Sequence, residues 1–142
     1  MLIDNYTRVC WVYLLKEKSD VEQIFKQFYT MVETQFQEKI QAFRSGNGKE
    51  YFNKILGTYF LENEIIHQSS CFDTSQQNRV AEKKNKHILE VARFLMFTIK
   101  IPKYLWGEAI LIATYLINKM PSRTLNFNTP IKCLKRVFQC HV

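Results

Sequence analysis

The sequence lacks the closely spaced cysteine and histidine pairs that hold structural metals. Four cysteines and three histidines occur among 142 residues, and no C-x-x-C or H-x-x-x-H unit is present. Structural zinc is held by about four nitrogen or sulfur ligands that come in such pairs, so a zinc site is not expected. The sequence also shows no secretory signal, which favours a reducing, intracellular compartment and free thiols. The residues concerned are Cys10, Cys71, Cys133, Cys140, His67, His87 and His141.

Long apolar runs and glycine are scarce as well. The longest apolar stretch, 105–117, contains Glu108 and is shorter than the roughly 18 residues of a membrane span. We therefore predict a buried helix over this stretch and no membrane partner. Only 4 residues are glycine, and no glycine-rich phosphate loop is recognisable.

Acidic residues are scarce in the second half of the chain. Residues 72–142 carry 12 Lys and Arg against 4 Asp and Glu, whereas residues 1–71 carry 8 against 9. A basic surface attracts polyanions because Lys and Arg displace counterions from phosphates, so DNA is a candidate partner. A merely solvated basic face is the alternative. With 46% hydrophobic residues, the chain is long enough to bury the core of one domain.

Short strands that alternate with amphipathic helices predict an α/β domain. Asp4 and Thr7 lie between two β-rich segments and predict a tight turn that side-chain hydrogen bonds stabilise. Ser19 followed by Glu22 predicts a capping box at the start of a helix over about 20–36. The remaining predicted elements are a strand at 39–44, a loop at 45–48, a helix at 51–63, a strand at 65–68, a polar loop at 69–78, a helix at 79–100, a last helix from Pro102 and an irregular extension at 126–142.

The helix predicted at 79–100 has two distinct faces at 100° per residue. The apolar face carries Val80, Ala81, Ile88, Val91, Ala92, Leu95 and Ile99. The opposite face carries Arg79, Glu82, Lys83, Lys86, Glu90 and Arg93. Lys84 breaks the pattern by falling on the apolar face, where we expect its stem to pack and its ammonium to reach outward. One face is thus expected to pack and the other to meet solvent or a ligand.

Three ordered sequence motifs are specific in combination. Residues 76–87, QQNRVAEKKNKH, are similar to the pattern Q-Q-N-G-V-A-E-R-K-N-R-H, from which they differ by Arg79 in place of glycine and by lysine in place of arginine at Lys83 and Lys86. Residues 2–8, LIDNYTR, match F-I-D-D-Y-S-R, and residues 43–51, FRSGNGKEY, match L-R-S-D-N-G-G-E-Y. Two later segments, 102–109 and 115–121, match P-K-x-x-W-x-E-A and Y-L-I-N-R-x-P. Together these motifs resemble the integrase catalytic core of Ty1/copia-class retrotransposons, which is a part of the Pol polyprotein.

The resemblance implies a ribonuclease-H-like fold, a mixed sheet flanked by helices, with a partial catalytic core over residues 1–125. In that family, DNA strand transfer uses two Mg²⁺ or Mn²⁺ ions held by three carboxylates. Glu82 matches the family's glutamate, whereas Gly46 stands where the family has its second aspartate. The first aspartate, on the central first strand, lies upstream of the motif in which this chain begins. We therefore expect an inactive fragment in which Glu82 is the remaining catalytic and metal-ligand residue, without stable metal binding.

The resemblance also implies DNA contacts around Glu82. The expected contacts are Gln76, Gln77 and Asn78 from a loop, and Lys83, Lys86 and Arg93 from the helix. A helix start and a solvated face are the respective alternatives. The function expected is an integrase-core fragment with residual, non-specific DNA binding, which would act in the nucleus if it is functional. The alternative is an interaction module that pairs with intact integrase through its last two helices, as a regulator, and a homo-oligomer is a further candidate.

Other conspicuous side chains are expected to be structural. His67 lies on an apolar strand and is predicted to be a packed, hydrogen-bonded histidine, and Cys71 is predicted to be similarly inert. Trp11, Trp106 and Tyr115 are predicted to lie in the core, since large aromatic side chains dominate core packing.

Overall fold

The computed structural model describes residues 1–45, 56–69 and 75–138, with the side chains of all of these except 69 and 75–78. The described chain divides into two compact units. The terminal unit comprises Met1–Leu14 and Ala81–Val142, and the middle unit comprises Leu15–Val80. Both units contain helices and a two-stranded sheet, so the chain is an α/β protein.

A β-hairpin opens the terminal unit. β1 (Leu2–Ile3) pairs antiparallel with β2 (Cys10–Trp11). The Asp4 carboxylate accepts hydrogen bonds from the backbone N–H of Thr7 at 2.7 Å and from its hydroxyl at 2.5 Å. Thr7 is fully buried, so its hydroxyl needs a hydrogen-bond partner inside the turn, and Asp4 provides it. The predicted hairpin and the predicted turn role of Asp4 are confirmed.

Three helices complete the terminal unit. They are α3 (Ser75–Thr98), whose greater part lies in this unit, α4 (Trp106–Lys119) and α5 (Pro130–Phe138), with 3₁₀ turns at Lys103–Leu105 and Arg123–Leu125. The core of the unit consists of Cys10, Ile88, Ala92, Ala109, Ile110, Ala113 and Ile117. The prediction of an irregular extension is wrong over Pro130–Phe138, because an amphipathic period there forms a helix that packs against α4.

The middle unit packs two helices against a parallel strand pair. Its elements are α1 (Asp20–Phe36), β3 (Ala42–Ser45), α2 (Gly57–Glu62) and β4 (Ile66–Ser69). Its core is aromatic, with the ring of Phe25 edge-on to Phe43 at 4.9 Å and to Phe60 at 5.2 Å between centroids. Edge-to-face pairs add to the stabilisation that ring burial supplies. β3 and β4 run parallel in register from Ala42↔Ile66 to Ser45↔Ser69.

The helix prediction at 20–36 is confirmed, but its predicted capping box is wrong. Ser19 makes no side-chain cap, and its hydroxyl donates to the Glu17 carboxylate at 3.2 Å instead. Glu22 turns away from the helix start and pairs with Lys26 one turn later, at 2.5 Å. The helix start is instead favoured by Asp20 and Glu22, whose negative charges interact favourably with the positive end of the helix dipole.

Several predicted boundaries shift. The predicted polar loop at 69–78 is too long, because α3 begins at Ser75 rather than at 79. The predicted strands at 39–44 and 65–68 correspond to β3 and β4. The predicted loop at 45–48 and helix at 51–63 fall partly on residues 46–55, outside the described residues. No helix in the described part of the chain is both long and apolar enough to cross a membrane.

Candidate nucleic-acid interface

The polar face predicted for α3 is confirmed as an exposed surface. All six of its residues are exposed, and we call this set the basic face: Arg79, Glu82, Lys83, Lys86, Glu90 and Arg93. Four cations thus stand against two carboxylates over about 21 Å of helix, at 1.5 Å rise per residue. One ion pair crosses the face, with 3.9 Å between Lys86 Nζ and Glu90 Oε1. Such an exposed pair contributes little to stability, so both side chains remain free to reorient toward a ligand.

The carboxylate of Glu82 lies exposed on this face beside Lys83. Within residues 1–45, 56–69 and 75–138, no three His, Cys, Asp or Glu side chains lie close enough to hold a metal ion. Gly46, the position matched to the family's second aspartate, lies outside the described residues, and glycine offers no side-chain oxygen in any case. Divalent magnesium and manganese require several oxygen ligands. The described donor set around Glu82 therefore does not fit the cation pair that the resemblance implies.

Lys84 is the one α3 lysine that is not fully exposed. Burial lowers the pKa of the Lys84 ammonium. Nearby Cys10 raises this pKa in part, and the positive charge of Arg8 lowers it further. Burial likewise raises the pKa of the Cys10 thiol, and Lys84 opposes that rise. The predicted packing of the Lys84 stem on the apolar side of the helix agrees with this half-buried position. Lys84 therefore belongs to the packing side of α3, apart from the basic face.

The three amides expected to contact DNA from a loop are placed differently. Gln76, Gln77 and Asn78 belong to the first turn of α3, so the prediction of a loop at these positions is wrong. Their side chains lie outside the described residues. The sequence offered a signal for this helix start, since the run from Gln76 onward contains no proline or glycine to oppose helix formation.

His67 is packed and hydrogen-bonded, as predicted. Its Nε2 lies 2.8 Å from the Ser45 hydroxyl, at the diagonal position of the parallel strand pair. Its ring stacks on Phe60 at 5.3 Å and on Phe43 at 6.2 Å between centroids. This packing accounts for a polar side chain on an apolar strand. Cys71 lies outside the described residues.

Comparisons with known proteins found sequences similar to this chain. No protein-family model matches it. It is 41% identical over 128 residues to the retrovirus-related Pol polyprotein from transposon TNT 1-94 of Nicotiana tabacum, which covers 90% of this chain and 10% of that protein. The corresponding polyproteins from transposons RE1 and RE2 of Arabidopsis thaliana are 37% and 35% identical over 134 residues, covering 94% of this chain and 9% of each. The chain is homologous to a segment of retrotransposon Pol polyproteins. It spans about a tenth of the length of these relatives.

This Pol-related chain uses a motif residue whose role the sequence did not reveal. Asn118 is buried, and its amide donates to the Cys10 carbonyl at 2.8 Å and accepts from the Cys10 N–H at 3.0 Å. On the hairpin side, the Asp4 N–H donates to the Val9 carbonyl. Successive residues of a strand direct their backbone groups to opposite sides, so the N–H and carbonyl of Cys10 point away from β1. The Asn118 side chain thus takes the place of a neighbouring strand. An asparagine on the apolar face of a helix was the available signal.

The aromatic residues of the Pol-related chain are less buried than predicted. Trp106 and Tyr115 are each 55% exposed, so their assignment to the core is wrong. Trp11 is half-buried. The predicted buried helix at 105–117 is correspondingly wrong on one side, because α4 leaves one of its two apolar faces open to solvent.

Proposed function

We propose that this chain is a fragment of a retrotransposon integrase core with a ribonuclease-H-like fold. In this proposal the chain performs no strand transfer by itself and keeps a weak, non-specific affinity for DNA. The observation that carries the proposal is the exposed basic face of α3, which bears the most specific of the integrase-like motifs. Similarity to Pol polyproteins over nine-tenths of the chain supports the retroelement origin.

The strand pairs are compatible with this fold. The described strands form two separate two-stranded sheets, one antiparallel and one parallel, and the chain has the α/β composition that such a fold requires. Two helices pack on the parallel pair in the middle unit, as in a sheet flanked by helices. These features are compatible with the proposed ribonuclease-H-like fold.

The missing carboxylate supports the proposed lack of activity. Strand transfer by the family relies on paired divalent cations, which stabilise the attacking and leaving oxygens of the phosphodiester. Glycine at position 46 removes one ligand from that set, and among the described residues no group of three His, Cys, Asp or Glu side chains could hold a metal ion. What the chain itself contributes is charge: its basic face can neutralise phosphates along a DNA backbone.

The expected DNA affinity is weak and strongly dependent on salt. If all four cations of the basic face contact phosphates, the logarithm of the binding constant falls with the logarithm of salt concentration with a slope of about −3.6. Non-specific complexes of this kind have dissociation constants on the order of 1–100 μM at physiological salt. Because such contacts reach only the backbone, little dependence on base sequence is expected.

The test compares two triple variants by fluorescence anisotropy with a labelled DNA duplex. The first replaces Lys83, Lys86 and Arg93 by glutamine on the basic face. The second replaces three exposed lysines outside α3, Lys16, Lys18 and Lys39, and so changes the net charge equally. The face variant is expected to bind at least tenfold more weakly and to lose about 2.7 from the salt slope. Equal losses in both variants, or no binding by the parent chain, would contradict the proposal.

A strand-transfer assay with Mn²⁺ tests the lack of activity. The chain alone is expected to give no product. A version with a relative's upstream strand added and the Gly46→Asp substitution is expected to gain activity, and Glu82→Ala is expected to abolish that gain. Product formed by the unaltered chain and lost in Glu82→Ala would overturn the proposed inactivity.

A further inference from the structure

Two exposed aromatic rings continue the basic face toward the C-terminal end of α3. Phe94 is 67% exposed and Phe97 is 83% exposed, and both belong to the terminal unit. At 100° per residue, Phe97 falls inside the arc of about 100° that the basic face spans, and Phe94 falls about 20° beyond its edge. Cations and aromatic rings therefore follow one another along one side of the same helix.

The direction of the two rings is fixed by the residues between them. Leu95 and Met96 are half-buried and pack against the core of the terminal unit, which turns Phe94 and Phe97 toward solvent. Residues three apart in a helix are neighbours on its surface, with about 5–6 Å between their Cβ atoms. A single exposed apolar side chain is ordinary, whereas two adjacent rings form a continuous apolar surface. We call Phe94 and Phe97 the aromatic pair.

The surroundings of the aromatic pair are basic. Residues 91–107 contain no Asp or Glu, and they carry three exposed cations, Arg93, Lys100 and Lys103. Arg93 lies one helical turn before Phe97 and so neighbours it on the surface. The nearest acidic residue along α3 is Glu90, and Lys86 already lies 3.9 Å from its carboxylate. Such a surface is complementary to a ligand that carries flat rings and negative charge together.

We propose that the aromatic pair is a stacking platform for the unpaired bases of single-stranded nucleic acid, whose phosphates lie along the basic face. Proteins that bind single strands combine cations that follow the backbone with aromatic side chains on which bases stack. The bases of a duplex already stack on one another, so the pair can engage a duplex only by unstacking it. The inference rests on the proposed function for its phosphate contacts, and it adds the strand form that the surface prefers.

Three labelled probes separate stacking from charge in a fluorescence-anisotropy titration. They are a strand of about 12 thymidine nucleotides, an abasic strand of the same length and a duplex. The thymidine and abasic strands carry the same phosphates and differ only in their bases. The parent chain is expected to bind the thymidine strand about tenfold or more tightly than the abasic strand. A uridine strand is expected to bind like the thymidine strand, because the rings contact the base and not the sugar.

A double variant removes the rings and keeps an apolar surface. Phe94→Leu combined with Phe97→Leu is expected to bind the thymidine and abasic strands equally, with duplex binding unchanged within about twofold. Phe94→Tyr combined with Phe97→Tyr keeps both rings and is expected to keep the preference for thymidine. The matched control replaces Tyr6 and Phe127 by leucine, since these rings are 76% and 73% exposed and lie outside α3. This control is expected to behave like the parent chain, and far-UV circular dichroism checks that every variant is folded.

The outcomes distinguish this inference from the proposed function. A parent chain that binds both strands equally, or a tyrosine variant that loses the preference, would overturn the inference. A leucine variant that keeps the preference would overturn it as well, and would indicate an apolar surface for a protein partner. A uridine strand that binds more than about tenfold more tightly than thymidine would assign the preference to sugar contacts instead. Duplex binding without any preference for thymidine contradicts this inference alone, whereas a kept preference without duplex binding contradicts the proposed duplex contacts alone.

Discussion

Replacing Asn118 by alanine removes a side chain that closes the open side of β2. Its amide makes hydrogen bonds to both backbone groups of Cys10, across 108 residues of sequence, and also lies 3.2 Å from the Cys10 thiol. Cys10 is 1% exposed, so water cannot replace these partners without entering the core. Asn118→Ala therefore leaves one buried N–H and one buried carbonyl unpaired at the centre of the terminal unit.

The magnitude follows from these two groups. Each buried backbone group left without a partner costs about 1–3 kcal/mol. Alanine favours a helix by about 0.5 kcal/mol more than asparagine, which offsets a small part of the loss. We expect Asn118→Ala to lower the free energy of unfolding by about 2–4 kcal/mol. Asn118→Asp keeps an acceptor for the N–H but points a second oxygen at the Cys10 carbonyl, so it is expected to be more damaging at pH 7 than at pH 4.

Urea unfolding followed by tryptophan fluorescence measures this loss. Both tryptophans of the chain, Trp11 and Trp106, belong to the terminal unit, so the signal reports the unit in which Asn118 lies. Asn85→Ala is the matched control, because Asn85 is exposed on α3 and its replacement is expected to stabilise slightly. A loss below about 1 kcal/mol for Asn118→Ala would refute the reasoning that this amide substitutes for a strand.

Two other predictions concern the same unit. Ile88→Ala is expected to cost about 2–5 kcal/mol in urea unfolding because Ile88 is 2% exposed, whereas Leu89→Ala, next to it and 38% exposed, is expected to cost less than about 1 kcal/mol; equal costs would contradict the assigned core face. Because burial lowers the pKa of Lys84, the folded chain holds fewer protons than the unfolded chain between that lowered pKa and the ordinary 10.5, so its stability rises with pH across that window. Lys84→Met is expected to remove this rise in stability. It keeps the opposite effect, a fall in stability above about pH 9, which the raised pKa of Cys10 causes. Unfolding curves of both proteins at a series of pH values test the difference, and identical pH profiles would refute it.

Local patterns in the sequence determined much of the secondary structure. The helix at 20–36, the Asp4 turn and the exposed polar face of α3 all follow from spacing within a few residues, and the structure agrees with each. The predicted apolar face of α3 agrees only in part, because Ile88 and Ala92 are buried whereas Ala81 and Ile99 are exposed, and Ile99 lies beyond the end of the helix. The motif resemblance likewise required only sequence, and it agrees with the similarity of the chain to a segment of retrotransposon Pol polyproteins. Such features survive because turns and amphipathic periods are short-range properties of the chain.

The prediction of a capping box at the start of α1 was wrong for a local reason. Ser19 and Glu22 have the right spacing, yet each side chain found a different partner, at Glu17 and at Lys26. An exposed hydroxyl or carboxylate can form hydrogen bonds of similar energy with several nearby groups, so the spacing of two residues does not determine which bond forms.

Only the tertiary structure decided which apolar surface of α4 is covered and what Asn118 does. The sequence of α4 is apolar on both sides, so periodicity predicted a buried helix and could not choose a face. Contacts with β2 and α3 cover the side of Ala109, Ala113 and Ile117 and leave Ile112 and Tyr115 open. Those contacts join residues up to 108 positions apart, as the bond between Cys10 and Asn118 shows. Burial depends on such distant partners, and a local pattern carries no information about which of them will meet it.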